Sequence, residues 1–328
     1  MKKRLPQGEP RWQKEQKEKK QKRNFLAVRL WFVFALVLIL LGLGLKTYRV
    51  VKNSIWDGSS RINFVLKGEE AILASFEPGE SLTLIPIPKG TNLLLTHGYG
   101  KYRVEAVLGL EELEKRQALL VETIQENLGV PVEGWIRITN YKLQITNYKE
   151  GILNELENQI LGKGKTNFST WDILRLWWEI KKIREGEIEV LDLEKLNVFS
   201  QSKLPDGTVV LEIAPAQLDV QIQKYLADSQ VKKEKLAIEV LNGTSYLGLA
   251  ERGARILTNI GGEVVAVGNS EVGSEKCEVE SEKKNKNSYT VLKIIKIFSC
   301  SWREKKEEGR GEITLILGED YWQKLNQK

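Results

Sequence analysis

Residues that commonly bind metal ions or serve as nucleophiles are scarce in this chain. Its 328 residues include two cysteines, Cys277 and Cys300, and one histidine, His97. One histidine excludes a multi-histidine metal site, and two cysteines alone cannot form a structural zinc site. His97 lies in the glycine-containing stretch 97–100, which is typical of a turn and gives no support to a Ser-His-Asp triad. We therefore predict neither a metal centre nor a resident cofactor.

Charge is missing from one long stretch near the N-terminus. Residues 25–45 are almost wholly apolar, and residues 30–45 carry no charged side chain. A helix of this length spans about 30 Å at roughly 1.5 Å per residue, which matches the hydrocarbon core of a bilayer. A buried helix of a soluble domain is the alternative, but such helices are seldom apolar on every face. No small-x-small cleavage site follows, so we predict an uncleaved transmembrane helix at 25–47.

Positive charge is concentrated before this apolar run. Residues 1–29 hold eleven Lys and Arg against three Glu, a net +8; because the whole chain carries +6, residues 30–328 sum to −2. Excess positive charge marks the cytoplasmic side of a membrane segment and attracts anionic lipid headgroups. We expect a single-pass protein of the cell membrane with a disordered cytoplasmic tail at 1–24, extracytoplasmic C-terminal domains and the lipid bilayer as a partner. The negative remainder argues against nucleic acid.

The part of the chain beyond the apolar run is long enough for two compact domains. A turn cluster at 57–60 predicts a short stalk at 48–60. Apolar runs bounded by Pro and Gly predict strands, and periodic apolar spacing over 112–128 predicts a helix that ends at Gly129. Ser169 and Asp172 form the pattern of a helix N-terminal capping box. Residues 61–232 are therefore predicted to form a mixed α/β domain, with strands near 61–66, 71–76, 135–138 and 208–213 and a further buried strand in the apolar run of 81–91. The pentapeptide Ile-Thr-Asn-Tyr-Lys occurs twice, at 138–142 and 145–149.

Residues 233–328 have the pattern of a second, smaller α/β domain. A strand at 236–241 is followed by an Asn-Gly turn, a helix capped by Thr244 or Ser245, and a strand at 264–267. This order predicts a βαβ unit with parallel strands. A short strand near 277–279, a helix at 290–298 and a buried strand at 312–317 complete the predicted domain.

Short motifs in this second region resemble the LytR C-terminal domain. They are Val-Leu-Asn-Gly-Thr at 240–244, Gly-Leu-Ala at 248–250, Val-Gly-Asn at 267–269 and Ile-Leu-Gly-Glu-Asp-Tyr at 316–321. The resemblance implies a domain that commonly follows a LytR-CpsA-Psr domain and for which no catalytic residues are established.

Polar residues of these motifs are candidate ligand contacts. A helix that starts after an Asn-Gly turn offers backbone N–H groups to an anion or a sugar hydroxyl. The alternative is that the same residues only shape the turn and that Asp320 caps a helix. The candidates are Asn242, Gly243, Thr244, Gly248, Asn269 and Asp320.

The two cysteines flank the segment between the short strand and the following helix. Outside the cytoplasm they can pair, whereas in a cytosolic protein they are more often unpaired. A Cys277–Cys300 disulfide closes a loop of roughly 24 residues and stabilises the fold by about 3 kcal/mol in the chain-entropy model. We predict this disulfide.

Three motifs of the first region resemble LytR-CpsA-Psr proteins, which are anchored enzymes that transfer polymers from polyprenyl-pyrophosphate carriers to the cell wall. The motifs are Arg-Ile-Asn at 61–63, Pro-Ile-Pro-Lys-Gly-Thr at 86–91 and Asn-Leu-Gly-Val-Pro-Val at 127–132. Lys89 replaces the family's pyrophosphate-binding Arg, Gly90 replaces the adjacent Asp, and the later Arg-rich segment is missing. Pyrophosphate transfer requires bidentate guanidinium groups and carboxylates that hold Mg²⁺, and Lys does not replace the guanidinium fork.

The sequence therefore predicts a degenerate LytR-CpsA-Psr-like domain followed by a LytR C-terminal domain. The leading hypothesis is non-catalytic binding of cell-wall glycopolymer or peptidoglycan, or scaffolding of envelope partners. The alternative is an active phosphotransferase that uses Lys89 and Arg103 with Mg²⁺ and an unidentified carboxylate. A transcriptional regulator is a third class, but no basic recognition helix supports it.

Overall fold

The computed structural model describes residues 31, 34, 36–38, 40–42, 44–45, 48, 51–138, 148–204, 207–305 and 309–327. The predicted tail at 1–24, much of the predicted transmembrane helix at 25–47 and most of the pentapeptide repeat lie outside the described residues. Within the described part of the chain, no helix combines the length and apolar character needed to cross a bilayer. The chain divides into two units, Met1–Ser54 and Ile55–Lys328. In the first unit, every described residue from 31 to 52 is helical.

The second unit has the mixed α/β architecture that the sequence predicts. Its strands are β1 (Ile62–Lys67), β2 (Ala71–Glu77), β3 (Ser81–Ile87), β4 (Thr91–Leu95), β5 (Gly100–Arg103), β6 (Gly134–Arg137), β7 (Ile188–Val190), β8 (Phe199–Lys203), β9 (Val209–Ile213), β10 (Ala237–Asn242), β11 (Glu263–Asn269), β12 (Glu278–Ser281), β13 (Ser301–Glu304) and β14 (Ile313–Leu317). Its α-helices are α1 (Val104–Glu114), α2 (Leu119–Leu128), α3 (Tyr148–Ile160), α4 (Thr170–Lys182), α5 (Pro215–Tyr225), α6 (Ser229–Glu234), α7 (Leu249–Asn259), α8 (Tyr289–Phe298) and α9 (Glu319–Asn326).

The first sheet has the strand order β6-β1-β2-β3-β7 and is buried on both faces. Successive side chains of a strand point to opposite faces. Accordingly Phe64 packs in a core formed with α3 and α4, whereas its neighbour Val65 packs in a second core formed with α1, α2 and α5. Apolar residues on both faces therefore produce a helix–sheet–helix arrangement.

A second sheet, in the order β5-β4-β9-β8, continues the chain beyond β3. β4 pairs with β5 in antiparallel register, with Asn92 opposite Arg103, and with β9 in parallel register, with Asn92 opposite Glu212. This register places Arg103 and Glu212 on either side of the strand that follows Lys89.

The third sheet has the order β11-β10-β14-β12-β13. β10 lies between β11 and β14 and is parallel to both, so the predicted βαβ unit is present as β10-α7-β11. The core beneath this sheet combines strand residues such as Val240 and Leu315 with Leu257 of α7 and Phe298 of α8.

Three local features differ from the sequence prediction. The helix predicted over 112–128 is two helices, α1 and α2, because Lys115 adopts a left-handed conformation with φ 56°. The helix after the Asn-Gly turn begins at Leu249 with Gly248 at its N-cap, rather than with Thr244 or Ser245. Residues 55–60 of the predicted stalk belong to the compact unit, because the Trp56 side chain is 2% exposed and packs in the α3–α4 core.

Candidate functional site

The carboxyl ends of β10, β11 and β14 meet at one edge of the third sheet, because these strands are parallel to one another. Loops at the carboxyl ends of parallel strands are a common location for ligand sites. All six candidate ligand residues of this region lie at that edge, in the loops that leave it or, for Asp320, in the first turn of α9 after β14. We call this set the sheet edge: Asn242, Gly243, Thr244, Gly248, Asn269 and Asp320.

Asn242 organises the turn that leaves β10. Its Oδ1 accepts hydrogen bonds from the Thr244 backbone N–H at 3.0 Å and the Thr244 hydroxyl at 2.7 Å. Its Nδ2 donates to the Tyr246 carbonyl at 2.7 Å. The side chain is 6% exposed, so its hydrogen-bonding groups serve the turn.

Gly243 is required because neighbouring backbone approaches it closely. Its N–H donates to the Leu317 carbonyl at 2.9 Å, and its carbonyl accepts from the Ser274 N–H at 2.7 Å. A Cβ at this position would lie 2.9 Å from Ser274 Cβ and 3.1 Å from the Leu317 oxygen. Gly248 has a different requirement, a φ of 80° that L-residues rarely adopt.

Asp320 and Asn269 have contrasting surroundings. The Asp320 Oδ1 accepts hydrogen bonds from the backbone N–H groups of Cys277 at 2.8 Å and Tyr321 at 2.7 Å, so it fixes the loop before β12 to the start of α9. Asn269 pairs with Asn242 at the end of the parallel ladder, and it is exposed to solvent.

Apolar and aromatic side chains accompany these polar residues. Leu247 is 97% exposed and Val272 is 76% exposed, in the loops that follow β10 and β11. The rings of Tyr246 and Trp322 are stacked, with centroids 3.5 Å apart and planes 5° from parallel. Stacked aromatic rings beside hydrogen-bonding side chains suit a ligand with both apolar and polar faces, such as a sugar.

The basic residues of the alternative hypothesis lie at a different place, at the start of β4 and the end of β5. Lys89 is exposed, and the Arg103 side chain is half exposed. Glu105 lies between them. Its Oε2 accepts the Gly90 N–H at 2.9 Å, and its Oε1 is 3.4 Å from Arg103 Nε. The structure therefore brings Arg103 to the Lys89 loop together with a carboxylate.

This loop is a poor fit for the Mg²⁺ that the family's reaction implies. Magnesium ions take near-octahedral oxygen coordination, usually through one or two carboxylates and substrate phosphates. Both oxygens of Glu105 already interact with Gly90 and Arg103. In the described residues, no group of three or more His, Cys, Asp or Glu side chains is arranged to hold a metal ion.

A buried ionic pair occupies the position where the first strand ends. Lys67 Nζ lies 2.7 and 2.9 Å from the two carboxylate oxygens of Glu111, and 4.5 Å from the centre of the Trp135 ring. Burial lowers the pKa of Lys67 and raises the pKa of Glu111, and each charge only partly offsets the effect on the other. Lys67 and Glu111 are buried and bond to each other, so we assign the pair a structural role within the fold.

Sequence reasoning missed the residues that join the two predicted domains. The Arg255 guanidinium on α7 binds both Asp219 oxygens on α5, at 2.8 to 3.0 Å, and also donates to the Glu126 and Asn127 carbonyls. Asn259, fully buried, donates to the Gly129 carbonyl at 3.0 Å. Spacing within either region carries no signal for such pairs, because the partners lie more than thirty residues apart.

His97 also has more contacts than a plain turn residue. It is in a turn with φ 61°, but it is 7% exposed. Its Nε2 lies 2.8 Å from Glu122 Oε2, and its Nδ1 lies 2.8 Å from the Gln327 carbonyl oxygen. The ring therefore connects α2 with the C-terminal end of the described chain.

Cys277 and Cys300 form a disulfide, with Cα atoms 4.6 Å apart. Cys277 precedes β12 and Cys300 precedes β13, two strands that are parallel neighbours. The bond therefore joins the amino ends of adjacent strands, and both cysteines are buried in the core of the third sheet.

Several solved structures have some similarity to the chain, including those of three bacterial proteins. They are the transcriptional regulator yvhJ of Bacillus subtilis (15% identity, 52% of this chain, 98% of that chain, TM-score 0.38), gbs0355 of Streptococcus agalactiae (11%, 52%, 86%, 0.35) and TagU of B. subtilis (9%, 49%, 93%, 0.35). No curated protein matches the chain.

The C-terminal region gives a match to a sequence family. Residues 235–321 match the family described as "LytR cell envelope-related transcriptional attenuator". The matched residues include β10, α7, β11 and the whole sheet edge. The prediction of a LytR C-terminal domain in this region is thereby confirmed, over residues 235–321.

Proposed function

We propose that this chain is a membrane-anchored cell-envelope protein whose compact unit, residues 55–328, binds cell-wall glycopolymer or peptidoglycan outside the membrane without transferring it. The apolar run at 25–47 and the basic residues before it support the anchor. The LytR C-terminal match supports an envelope role. The Cys277–Cys300 disulfide supports an extracytoplasmic location, since disulfides persist in oxidising compartments.

The position of Glu105 carries the non-catalytic part of the proposal. A pyrophosphate bound at the Lys89 loop would need the Gly90 N–H and the Arg103 guanidinium as donors. Glu105 already interacts with both groups and adds a negative charge beside them. The Glu105 carboxylate and a pyrophosphate bound beside it would both be negative and would repel each other. This loop therefore disfavours the anionic substrate of the family's reaction.

The sheet edge is the better candidate for polymer binding. Together with the adjoining residues Tyr246, Leu247 and Trp322, it combines two exposed side chains, Leu247 and Asn269, with a pair of stacked aromatic rings. The hydrogen bonds of Asn242 and Thr244 hold the loop that carries Tyr246 and Leu247. A rigid edge with aromatic and amide groups can bind sugar rings at little cost in conformational entropy.

Co-sedimentation with purified cell walls tests polymer binding. Residues 55–328 should pellet with peptidoglycan that carries its glycopolymer, and Leu247→Ser with Asn269→Ala should reduce the bound fraction because both side chains are exposed at the sheet edge. Leu292→Ser, at an exposed apolar residue of α8, is the matched control and should bind normally. Unchanged binding by the sheet-edge variant would contradict the assignment of this edge.

The alternative, an active phosphotransferase, retains one supporting observation, because β4–β5 pairing brings Arg103 close to the Lys89 loop. Incubation of residues 55–328 with Mg²⁺ and a polyprenyl-pyrophosphate-linked oligosaccharide tests it. We expect no release of polyprenyl phosphate. Turnover that Lys89→Ala abolishes would establish the phosphotransferase and overturn the non-catalytic proposal.

A further inference from the structure

Helix α4 presents an apolar stripe to solvent. Its buried side holds Ile173, Leu176 and Ile180, which pack in the core with the first sheet. Its opposite side carries Trp171, Leu174 and Trp178, which are 39%, 39% and 58% exposed. Residues three and four apart share a helix face, so these side chains form one continuous stripe.

Basic side chains surround this stripe. Arg175 lies over the Trp171 ring at 5.0 Å, Lys181 over the Trp177 ring at 4.6 Å, and Lys182 over the Trp178 ring at 5.6 Å. Helical spacing places Arg175, Lys181 and Lys182 on the same outward arc as the stripe. We call the six residues the α4 face: Trp171, Leu174, Arg175, Trp178, Lys181 and Lys182.

The first residues of the compact unit, Ile55 and Trp56, are hydrogen-bonded to helix α4. The backbone N–H groups of Ile55 and Trp56 each donate to the Asp172 carboxylate at 3.2 Å, and Arg175 Nη1 donates to the Trp56 carbonyl at 2.9 Å. The first residues of the unit are thereby fixed to the first turns of α4. With residues 25–47 in the bilayer, as proposed above, the seven residues 48–54 can extend no more than about 25 Å.

We infer that the α4 face docks the compact unit on an anionic lipid surface. Trp171, Leu174 and Trp178 enter the headgroup region, where Trp is favoured because its ring is amphipathic. Lys181 and Lys182 contact the anionic headgroups, and Arg175 adds positive charge beside them. An amphipathic helix with aromatic residues on one side and cations around them binds membranes in this orientation.

The composition of the face favours lipid over a second copy of the chain. A two-fold dimer through α4 would place the basic cluster of one copy (Arg175, Lys181 and Lys182) against the same cluster of the other, and like charges across an interface are repulsive. Two carboxylates lie beside the face: Glu179 pairs with Lys182 at 2.6 Å, and Glu157 accepts a hydrogen bond from the Trp177 indole at 3.1 Å. The face therefore retains a positive charge that an anionic surface complements.

Vesicle binding by residues 55–328 tests this inference without the anchor. All three hydrophobic cores lie within these residues, so the fragment keeps the elements that fold the unit. It should bind vesicles of phosphatidylglycerol mixed with phosphatidylcholine more tightly than vesicles of phosphatidylcholine alone. Leu174→Ser with Trp178→Ser should weaken binding by about tenfold, because two exposed apolar side chains leave the lipid interface. Lys181→Gln should weaken binding to the mixed vesicles by about fivefold and leave binding to neutral vesicles unchanged.

The controls separate this inference from the anchor and from sugar binding. Leu292→Ser, at an exposed apolar residue outside the α4 face, should bind vesicles as the wild type does. Two results would overturn the lipid assignment. One is wild-type binding that is equal for both vesicle types. The other is a Leu174→Ser, Trp178→Ser variant that loses cell-wall binding but keeps vesicle binding. The full-length chain should stay in the membrane pellet after high-salt washing, and this result concerns only the proposed anchor.

Discussion

At the scale of single residues, Lys293 connects the two predicted domains. Its ammonium group donates to the Arg61 carbonyl at 2.9 Å and to Glu133 at 3.0 Å, and Asp228 lies 3.7 Å away. Burial alone lowers the pKa of Lys293, but the carboxylates of Glu133 and Asp228 outweigh it, so the pKa is raised. The lysine is therefore charged in the folded protein.

Replacing Lys293 with Met should lower the free energy of unfolding by about 3 kcal/mol, since two buried carboxylates lose their counter-ion. Urea denaturation of residues 55–328 measures the change. Lys283→Met, at an exposed lysine, should change stability by less than about 0.5 kcal/mol. A Lys293→Met variant as stable as this control would show that the buried network contributes nothing.

Replacing Glu105 with Ala should create weak binding of inorganic pyrophosphate. The substitution releases the Gly90 N–H and Arg103 and removes a negative charge beside Lys89. Isothermal titration should detect binding in the variant and none in the wild type. Glu112→Ala removes an exposed carboxylate elsewhere on α1 and should not bind. Pyrophosphate binding by the wild type would contradict the argument from Glu105.

At the scale of elements, the disulfide fixes the amino ends of β12 and β13. Cys277→Ala with Cys300→Ala should lower the free energy of unfolding by about 3 kcal/mol. The two cysteines are 23 residues apart in sequence, and without the bond the unfolded chain between them gains conformational entropy. Denaturation with and without a reductant measures this contribution. Reduction of the wild type should lower the free energy of unfolding by the same amount. If the reduced wild type and the double variant are both as stable as the oxidised protein, the disulfide does not stabilise the fold.

Helix α8 has Ser288 at its N-cap, and the Glu234 carboxylate adds to this cap by accepting the N–H groups of Tyr289 and Thr290 at 2.8 Å each. Partial burial would raise the pKa of Glu234, but the hydrogen bonds from Thr290 and Tyr289 outweigh it and lower the pKa. The stability from this cap is therefore present above the ordinary carboxyl pKa of 4.5 and is lost as pH falls through the lower folded value.

Glu234→Gln should remove this pH dependence. After allowance for solvent screening, the wild type should be more stable than the variant by no more than about 1 kcal/mol near neutral pH. The difference should shrink as pH falls below 4.5, and thermal unfolding across that range measures it. A difference that stays constant with pH would show that the carboxylate charge has no part in the cap.

The elements that the sequence predicted well are those with a local cause. Alternating or continuous apolar runs predicted β1, β2 and β10, and the capping box predicted the start of α4 at Ser169. The break between α1 and α2 was missed because Lys115 has no sequence signal for its left-handed conformation. The start of α7 was displaced because Asn242 uses Thr244 for the turn, which leaves the N-cap to Gly248.

At the scale of the whole molecule, residues 55–328 form one compact unit, and contacts cross the predicted boundary between its two regions. Arg255 with Asp219, Asn259 with Gly129 and Lys293 with Glu133 are buried or half-buried contacts across the predicted boundary. Each pair joins residues distant in sequence, so neither periodicity nor local motifs could indicate it. The residues of the sheet edge could be chosen as candidates from the sequence because they lie in short motifs. Glu105 lies in none of these motifs, so there was no reason in the sequence to choose it.

The proposed function depends most on the placement of residues 55–328 outside the membrane. Limited proteolysis of intact cells, followed by antibodies against the two ends of the chain, measures that placement directly. We expect the protease to remove the compact unit and leave the basic N-terminal segment protected until the cells are lysed. A compact unit that survives in intact cells and is degraded only after lysis would contradict the account.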